Sequence, residues 1–305
     1  MPNTKKTLGT QGVVSHMNIA RTVGAITAAG AMLLAPVVAH AEPLSPQLSS
    51  PGDTATTQLD GKAGRANYVS LGDSYAANAG RGDTVATMGG CPNSARNYSA
   101  LVGHKTGLEV RNFSCNGTLA YSPNPDPHKT VRGQINNAVA QGAIDGNTRL
   151  VTITAGANDV PLNFLAPMPV QDGDYNRVTA ENINIIKRHA PNATIHIVGY
   201  PTFVDTSNNT TCPVNVAGAA PRIPASAIGD IEGALQNRQR QAAANSGARF
   251  VDMKQVTTAE LGMCGKDGER HVSALIDGRP QDYTMPIHPT YAGSEAIANQ
   301  IVANR

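Results

Sequence analysis

Five short runs of β-branched and apolar residues, each separated from the next by a segment of helical character, constrain this chain more than any other feature. The runs cover residues 67–71, 108–113, 150–155, 194–200 and 249–253. Each is brief and nearly uniformly apolar, the pattern of a parallel strand buried on both faces. Helices are expected near 94–106, 130–141, 174–189 and 226–245, with a closing one over 291–303. In the third, Val178, Ile183, Ile185 and Ile186 supply the apolar positions and Pro191 ends the segment. Strands alternating with helices require right-handed crossovers, so the expected fold class is α/β: a three-layer α/β/α sandwich around a mainly parallel five-stranded sheet. No internal repeat competes with that reading.

The first 41 residues stand apart. Lys5, Lys6 and Arg21 precede an uncharged, alanine-rich stretch over 23–38, which ends at Ala39-His40-Ala41. This reads as a secretory signal peptide over 1–41. Its apolar core, about 16 residues long, is short of the roughly 20 that a spanning helix needs, and Gly24, Gly30 and Pro36 interrupt it. The leader holds three positive charges and no acids against a whole-chain net charge of +2, which leaves the rest at −1. No basic patch therefore argues for nucleic acid. Residues 42–65, rich in Pro, Ser, Thr, Gln and Gly, read as a flexible linker, and 66–305 as one domain with a single core.

Cys91, Cys115, Cys212 and Cys264 all fall in that domain. An even count in an exported chain implies two disulfides with three connectivities to choose from. Cys91–Cys115 and Cys212–Cys264 are the expected pairs, because each closes the shorter loop. A zinc site is not expected, since no pair has C-x-x-C spacing and no histidine is close to a cysteine in sequence. Three long connections, 80–92, 202–224 and 258–286, each carry a cysteine and so are expected to be pinned.

Gly72-Asp73-Ser74-Tyr75 directly follows the first strand, which puts one hydroxyl at the mouth of the sheet. Alone, Gly-Asp-Ser is ordinary turn chemistry and Ser74 an ordinary helix cap. Two further segments supply what a nucleophilic serine lacks. Gly156-Ala157-Asn158-Asp159 follows the third strand, and His288-Pro289 precedes the last helix. Pro289 sets His288 on a rigid corner, whereas His196 falls in a strand and reads as a core residue. His104, His128, His189 and His271 read as surface or loop positions.

These segments, in this order, resemble the SGNH/GDSL hydrolase family, mostly esterases and lipases. Gly90-Cys91-Pro92 and Ser114-Cys115-Asn116-Gly117 are similar to the extracellular actinobacterial branch. The resemblance implies a flavodoxin-like SGNH hydrolase fold with Ser74 as nucleophile and His288 as base. It also implies an oxyanion hole built from the Ser74 N–H, the Gly117 N–H and the Asn158 side-chain amide. Asp73 and Asp159 would hold the surrounding loops by hydrogen bonds. No cofactor or metal is implied.

One position departs from the family. The residue three before the histidine, usually an aspartate that orients the imidazole, is Met285 here. Asp282, six residues before, could take that role; so could a backbone carbonyl such as that of Met285. The activity expected is secreted ester hydrolysis through an acyl-enzyme on Ser74, by a monomer acting on small-molecule or lipid esters outside the cell or at its envelope. Acyl transfer to envelope glycans or glycolipids is the alternative within the same fold. A non-catalytic envelope-binding member is a third reading, supported only by the missing acid. With 8 tyrosines, 4 phenylalanines and no tryptophan, platforms for stacking on sugars are scarce, which favours acyl or small-ester recognition.

Overall fold

In Asn67–Gly72, the first strand (β1), all six residues are buried, as befits a strand covered on both faces. The computed structural model describes residues 65–305, so the expected leader and all of the expected linker except Arg65 lie outside the described residues. After β1 come α1 (Ser74–Ala77), α2 (Tyr98–Thr106), β2 (Glu109–Asn112), α3 (Val131–Ala140) and β3 (Thr148–Thr154). The chain continues through α4 (Val160–Asn163), α5 (Met168–His189), β4 (Thr194–Val198), α6 (Ser226–Ser246), β5 (Arg249–Val251) and α7 (Tyr291–Ala303).

The five strands form one sheet in the order β5-β4-β3-β1-β2, and every neighbouring pair is parallel. Alternation along the strands divides the core. Val69, Leu71, Val151, Ile153, Ile195 and Ile197 face Ile135 of α3, Ile183 and Ile186 of α5, and Ala242 and Ala243 of α6. The opposite face carries Tyr68, Leu150, Val198 and Val251 against Val102 of α2 and Ile297 and Ile301 of α7. Buried hydroxyls within this second layer find partners, Tyr68 with Thr152 at 2.7 Å and Tyr98 with Thr154 at 2.8 Å. The result is the three-layer α/β/α sandwich expected from the alternation of elements.

Two helix starts differ from the sequence reading. The α5 helix begins at Met168 instead of 174, with Pro169 in its first turn, where the ring pre-sets φ and its missing N–H is no loss. The α2 helix begins at Tyr98 instead of 94, because the Asn97 side chain caps it by accepting from the Ala100 N–H while Ser94 pairs with Thr84 in a short antiparallel ladder.

The chain fills the sheet outward from β1 in both directions, so the strand order reverses between β1 and β3. A crevice forms at such a point, beyond the carboxyl ends of the strands. The long connections gather around it and are pinned. Residues 84–85 pair with 93–94, 210–211 with 223–224, and 214–215 with 276–277. Disulfides join Cys91 to Cys115 and Cys212 to Cys264, as the loop lengths lead one to expect. Closing loops of this size stabilises the fold by about 3–4 kcal/mol each on the chain-entropy account.

Candidate active site

The first strand must end abruptly to present Ser74. Gly72 has φ +135°, and a Cβ there would stand 2.1 Å from the Thr154 carbonyl oxygen, so β1 and β3 approach closely only because that residue is glycine. Gln134 of α3 completes the strand end: its Oε1 accepts from the Gly72 N–H at 2.8 Å and its Nε2 donates to the Gly72 carbonyl at 3.0 Å. Asp73 caps α1 by accepting from the Tyr75 N–H at 2.9 Å. That leaves half-buried Ser74 as the first residue of a single helical turn. A four-residue helix has little macrodipole, so any help to a negative charge at Ser74 comes from its own N–H rather than from a helix field.

His288 reaches Ser74 across 214 residues of sequence, with Nε2 and Oγ 2.7 Å apart. Its other ring nitrogen, Nδ1, stands 2.8 Å from the Pro286 carbonyl. A carbonyl only accepts, so Nδ1 carries the proton and Nε2 turns its lone pair toward the serine hydroxyl. A backbone carbonyl therefore faces Nδ1, one of the two arrangements expected from sequence, but it belongs to Pro286 and not to Met285. The Met285 carbonyl accepts instead from Ser273 Oγ at 2.8 Å, and the Asp282 carboxylate accepts from Arg279 Nε at 2.9 Å. The backbone turns back one residue later than expected, at Pro286, and Asp282 is committed elsewhere. Desolvation pushes the His288 pKa down to about 4, opposed only in part by the Pro286 carbonyl. The imidazole is therefore neutral at pH 7.

His288 sits on a strained strap. Ile287, a β-branched residue, adopts φ +62°, which costs roughly 1–3 kcal/mol and persists only where the surroundings enforce it. Two side chains enforce it here. The Tyr75 hydroxyl donates to the Ile287 carbonyl, and the Tyr75 ring lies 4.8 Å from the His288 ring. Fully buried Ser273 accepts from the His288 N–H at 3.3 Å through the same hydroxyl that donates to Met285.

The flanking loops are tied to the same centre. The Tyr200 hydroxyl donates to the Asp73 carboxylate and accepts from the Ala157 N–H at 3.1 Å, joining the serine turn to the asparagine turn. Burial raises the Asp73 pKa to about 7 despite these bonds. Asp159, also buried, accepts from the backbone N–H groups of Ala120, Tyr121 and Ser122 at 2.7, 3.2 and 2.8 Å. Both aspartates thus hold loops, as the resemblance implies. Asn158 is half-buried with one amide hydrogen on the Thr118 carbonyl at 3.1 Å, which leaves the second free. Lys129 Nζ donates to the Asn116 carbonyl at 2.6 Å. In a trans peptide the N–H points opposite to the C=O, so this contact aims the exposed Gly117 N–H away from Lys129. Among the described residues, neither that N–H nor the Ser74 N–H has a protein acceptor.

Among the described residues no group of three or more His, Cys, Asp and Glu side chains is arranged to hold a metal ion. His196 is fully buried in β4, where burial pushes its pKa down to about 4. The roles of Tyr75, Tyr200, Ser273 and Lys129 are not visible in the sequence, because their contacts run to other loops and largely to backbone atoms.

The profile of the GDSL-like lipase/acylhydrolase family matches residues 70–296, from within β1 into α7. The chain belongs to this family. As a GDSL-type hydrolase it is similar to Lipase 2 of Streptomyces coelicolor, at 26% identity over 287 residues, 88% of this chain and 90% of the relative. Lipase 1 of the same organism is 26% identical over 257 residues, covering 78% and 86%. Among solved structures, phospholipase A1 from Streptomyces albidoflavus NA297 superposes with a TM-score of 0.54 at 19% identity, over 79% of this chain and all of the other. The extracellular lipase of Streptomyces rimosus gives a TM-score of 0.52 at 20% identity with the same coverage. These two likenesses speak for the fold, which this GDSL-type enzyme shares.

Proposed function

We propose that this chain is a secreted serine esterase or lipase that hydrolyses carboxylic esters through an acyl-enzyme on Ser74. The observation that carries the reading is the 2.7 Å contact between Ser74 Oγ and a His288 Nε2 whose lone pair is turned toward it. As Oγ attacks the ester carbonyl carbon, its proton passes to Nε2. The imidazolium then protonates the departing alkoxide; in the second half-reaction His288 takes a proton from water as the water attacks the acyl carbon, and returns it to Ser74 Oγ as the acyl–oxygen bond breaks. The Ser74 N–H, Gly117 N–H and free Asn158 amide hydrogen stabilise the oxyanion of both tetrahedral intermediates. The Pro286 carbonyl stands where an aspartate would and stabilises the imidazolium less than a carboxylate, so base catalysis persists at a reduced rate.

That carbonyl also weakens the case for a non-catalytic family member, since the missing acid at 285 was its only support. Export is supported by the two disulfides and by the likeness to an extracellular lipase. The test is labelling with a serine-directed fluorophosphonate followed by peptide mapping. An adduct on Ser74, absent in Ser74→Ala, is expected; folded protein that stays unlabelled overturns the reading.

A further inference from the structure

The large apolar side chains that the core leaves exposed are not scattered. Of the eleven such residues among those described, Leu162, Phe164, Leu165, Met168 and Val170 fall within one nine-residue stretch, and Leu165 is 84% exposed and Leu162 63%. The stretch begins four residues after Asn158, and residues 160–171 contain no charged side chain.

Its polar side chains turn inward. Asn163 Nδ2 donates to the Asp159 carbonyl and to Ser122 Oγ, both at 2.8 Å. Gln171 Nε2 donates to the Asn163 carbonyl at 2.9 Å and to the Ala166 carbonyl at 2.8 Å. Pro161, Pro167 and Pro169 stiffen the backbone between these ties. The segment therefore uses its hydrogen-bonding groups to hold its own shape and presents its hydrocarbon to water. Folding alone selects the opposite arrangement, and a contiguous exposed apolar patch marks a contact surface. Two further exposed apolar side chains lie on α6. Ile228 and Ile231 are exposed on the same helical face as Leu235, which packs beside Tyr75 and Tyr200.

The chemistry narrows the occupant. With no charge on the ridge, an anionic or cationic partner has nothing to pair with. The ridge also runs directly into the Asn158 turn, so whatever covers it is delivered to the rim beside Ser74. We propose that residues 160–170 form a rigid apolar ridge that seats the enzyme on the surface of an electrically neutral lipid aggregate, bringing Ser74 to ester bonds held there. The functional consequence rests on the reading of Ser74 as nucleophile; the docking itself does not.

The chain has no tryptophan, so Leu165→Trp supplies a sole tryptophan at an exposed site, excited selectively beyond the tyrosine band. Placed in Ser74→Ala protein, it reports docking without turnover. With phosphatidylcholine vesicles its emission should shift to the blue, the protein should sediment with the vesicles, and 1 M salt should not release it. Leu162→Ser with Leu165→Ser should weaken vesicle binding by at least about tenfold. In Ser74-intact protein the same pair should slow hydrolysis of vesicle-borne esters while turnover of a water-soluble short-chain ester is kept. No shift with neutral vesicles overturns the proposal. So does binding confined to anionic vesicles and abolished by salt, or a blue shift that grows with protein concentration in the absence of lipid, which would assign the ridge to a second copy of the chain. Failed fluorophosphonate labelling would remove the nucleophile and leave the vesicle measurement standing.

Discussion

The Tyr75 hydroxyl donates to the carbonyl of Ile287, linking the residue after the candidate nucleophile to the residue before the candidate base across 212 positions of sequence. The bond holds a β-branched residue at φ +62° and thereby sets where the His288 ring stands. Tyr75 is a positioning residue on this account. In Tyr75→Phe the ring stays against His288, Tyr200 and Phe203, so packing is kept and only the tie is lost. We expect kcat to fall by about tenfold, the equivalent of one net hydrogen bond, with KM unchanged. Steady-state kinetics on a soluble ester decide it. An unchanged kcat, or a loss confined to KM, would remove the tie from the account.

The acid limb of kcat/KM should lie well below the ordinary histidine range. Desolvation lowers the His288 pKa to about 4, so the ring is neutral above that pH and protonated below it. A protonated Nε2 cannot accept from Ser74, and activity is lost as pH falls through the lowered value. The same shift makes the fold less stable in acid. The unfolded chain binds the proton from about pH 6.5 downward while the native state resists it until about 4. A pH profile from 3.5 to 8 checks this, and an acid limb at 6.5 or above would contradict it.

Asp73→Asn should gain stability relative to the parent as pH rises. Burial raises the Asp73 pKa from 3.8 to about 7, so between those values the native state holds a proton that the unfolded chain has released. Native stability therefore falls as pH climbs through that window and levels off above it. The penalty is at most about 4 kcal/mol, which the uncharged side chain does not suffer. Asparagine can still accept from the Tyr75 N–H, although its amide leaves the Tyr200 hydroxyl hydrogen without this acceptor. The slope of the difference, read from urea melts between pH 4 and pH 8, is the test. A flat difference would mean that Asp73 is ionised throughout.

The two ends of the proposed oxyanion hole should respond differently to mutation. Asn158→Ala removes a donor outright and should lower kcat by about 10²–10³-fold. Lys129→Met removes only the group that orients the Asn116–Gly117 peptide, and we expect a smaller fall of about tenfold in kcat with the fold intact. Equal effects, or none from Asn158→Ala, would separate that turn from the chemistry.

Local pattern alone was enough to read the five strands, the alternation with helices, the Ser74 and Asn158 turns and both disulfide pairings. These features depend on near neighbours: apolar runs, turn-forming residues and loop lengths. The hydrogen bond on His288 Nδ1 was not legible in this way, because whether it falls to residue 282, 285 or 286 depends on how one turn folds back on itself. Nor could Tyr75, Ser273 or Lys129 be singled out, since each acts through a backbone carbonyl or N–H, groups that every residue carries and no sequence distinguishes. The outward apolar ridge at 160–170 is built from the same residue types as the core; its exposure is decided by what packs around it. Side-chain type and spacing set which elements form and which chemistry they bring, and both can be read along the chain. Which atoms meet emerges with the folded chain, because contacts made through the common backbone are set by three-dimensional position alone.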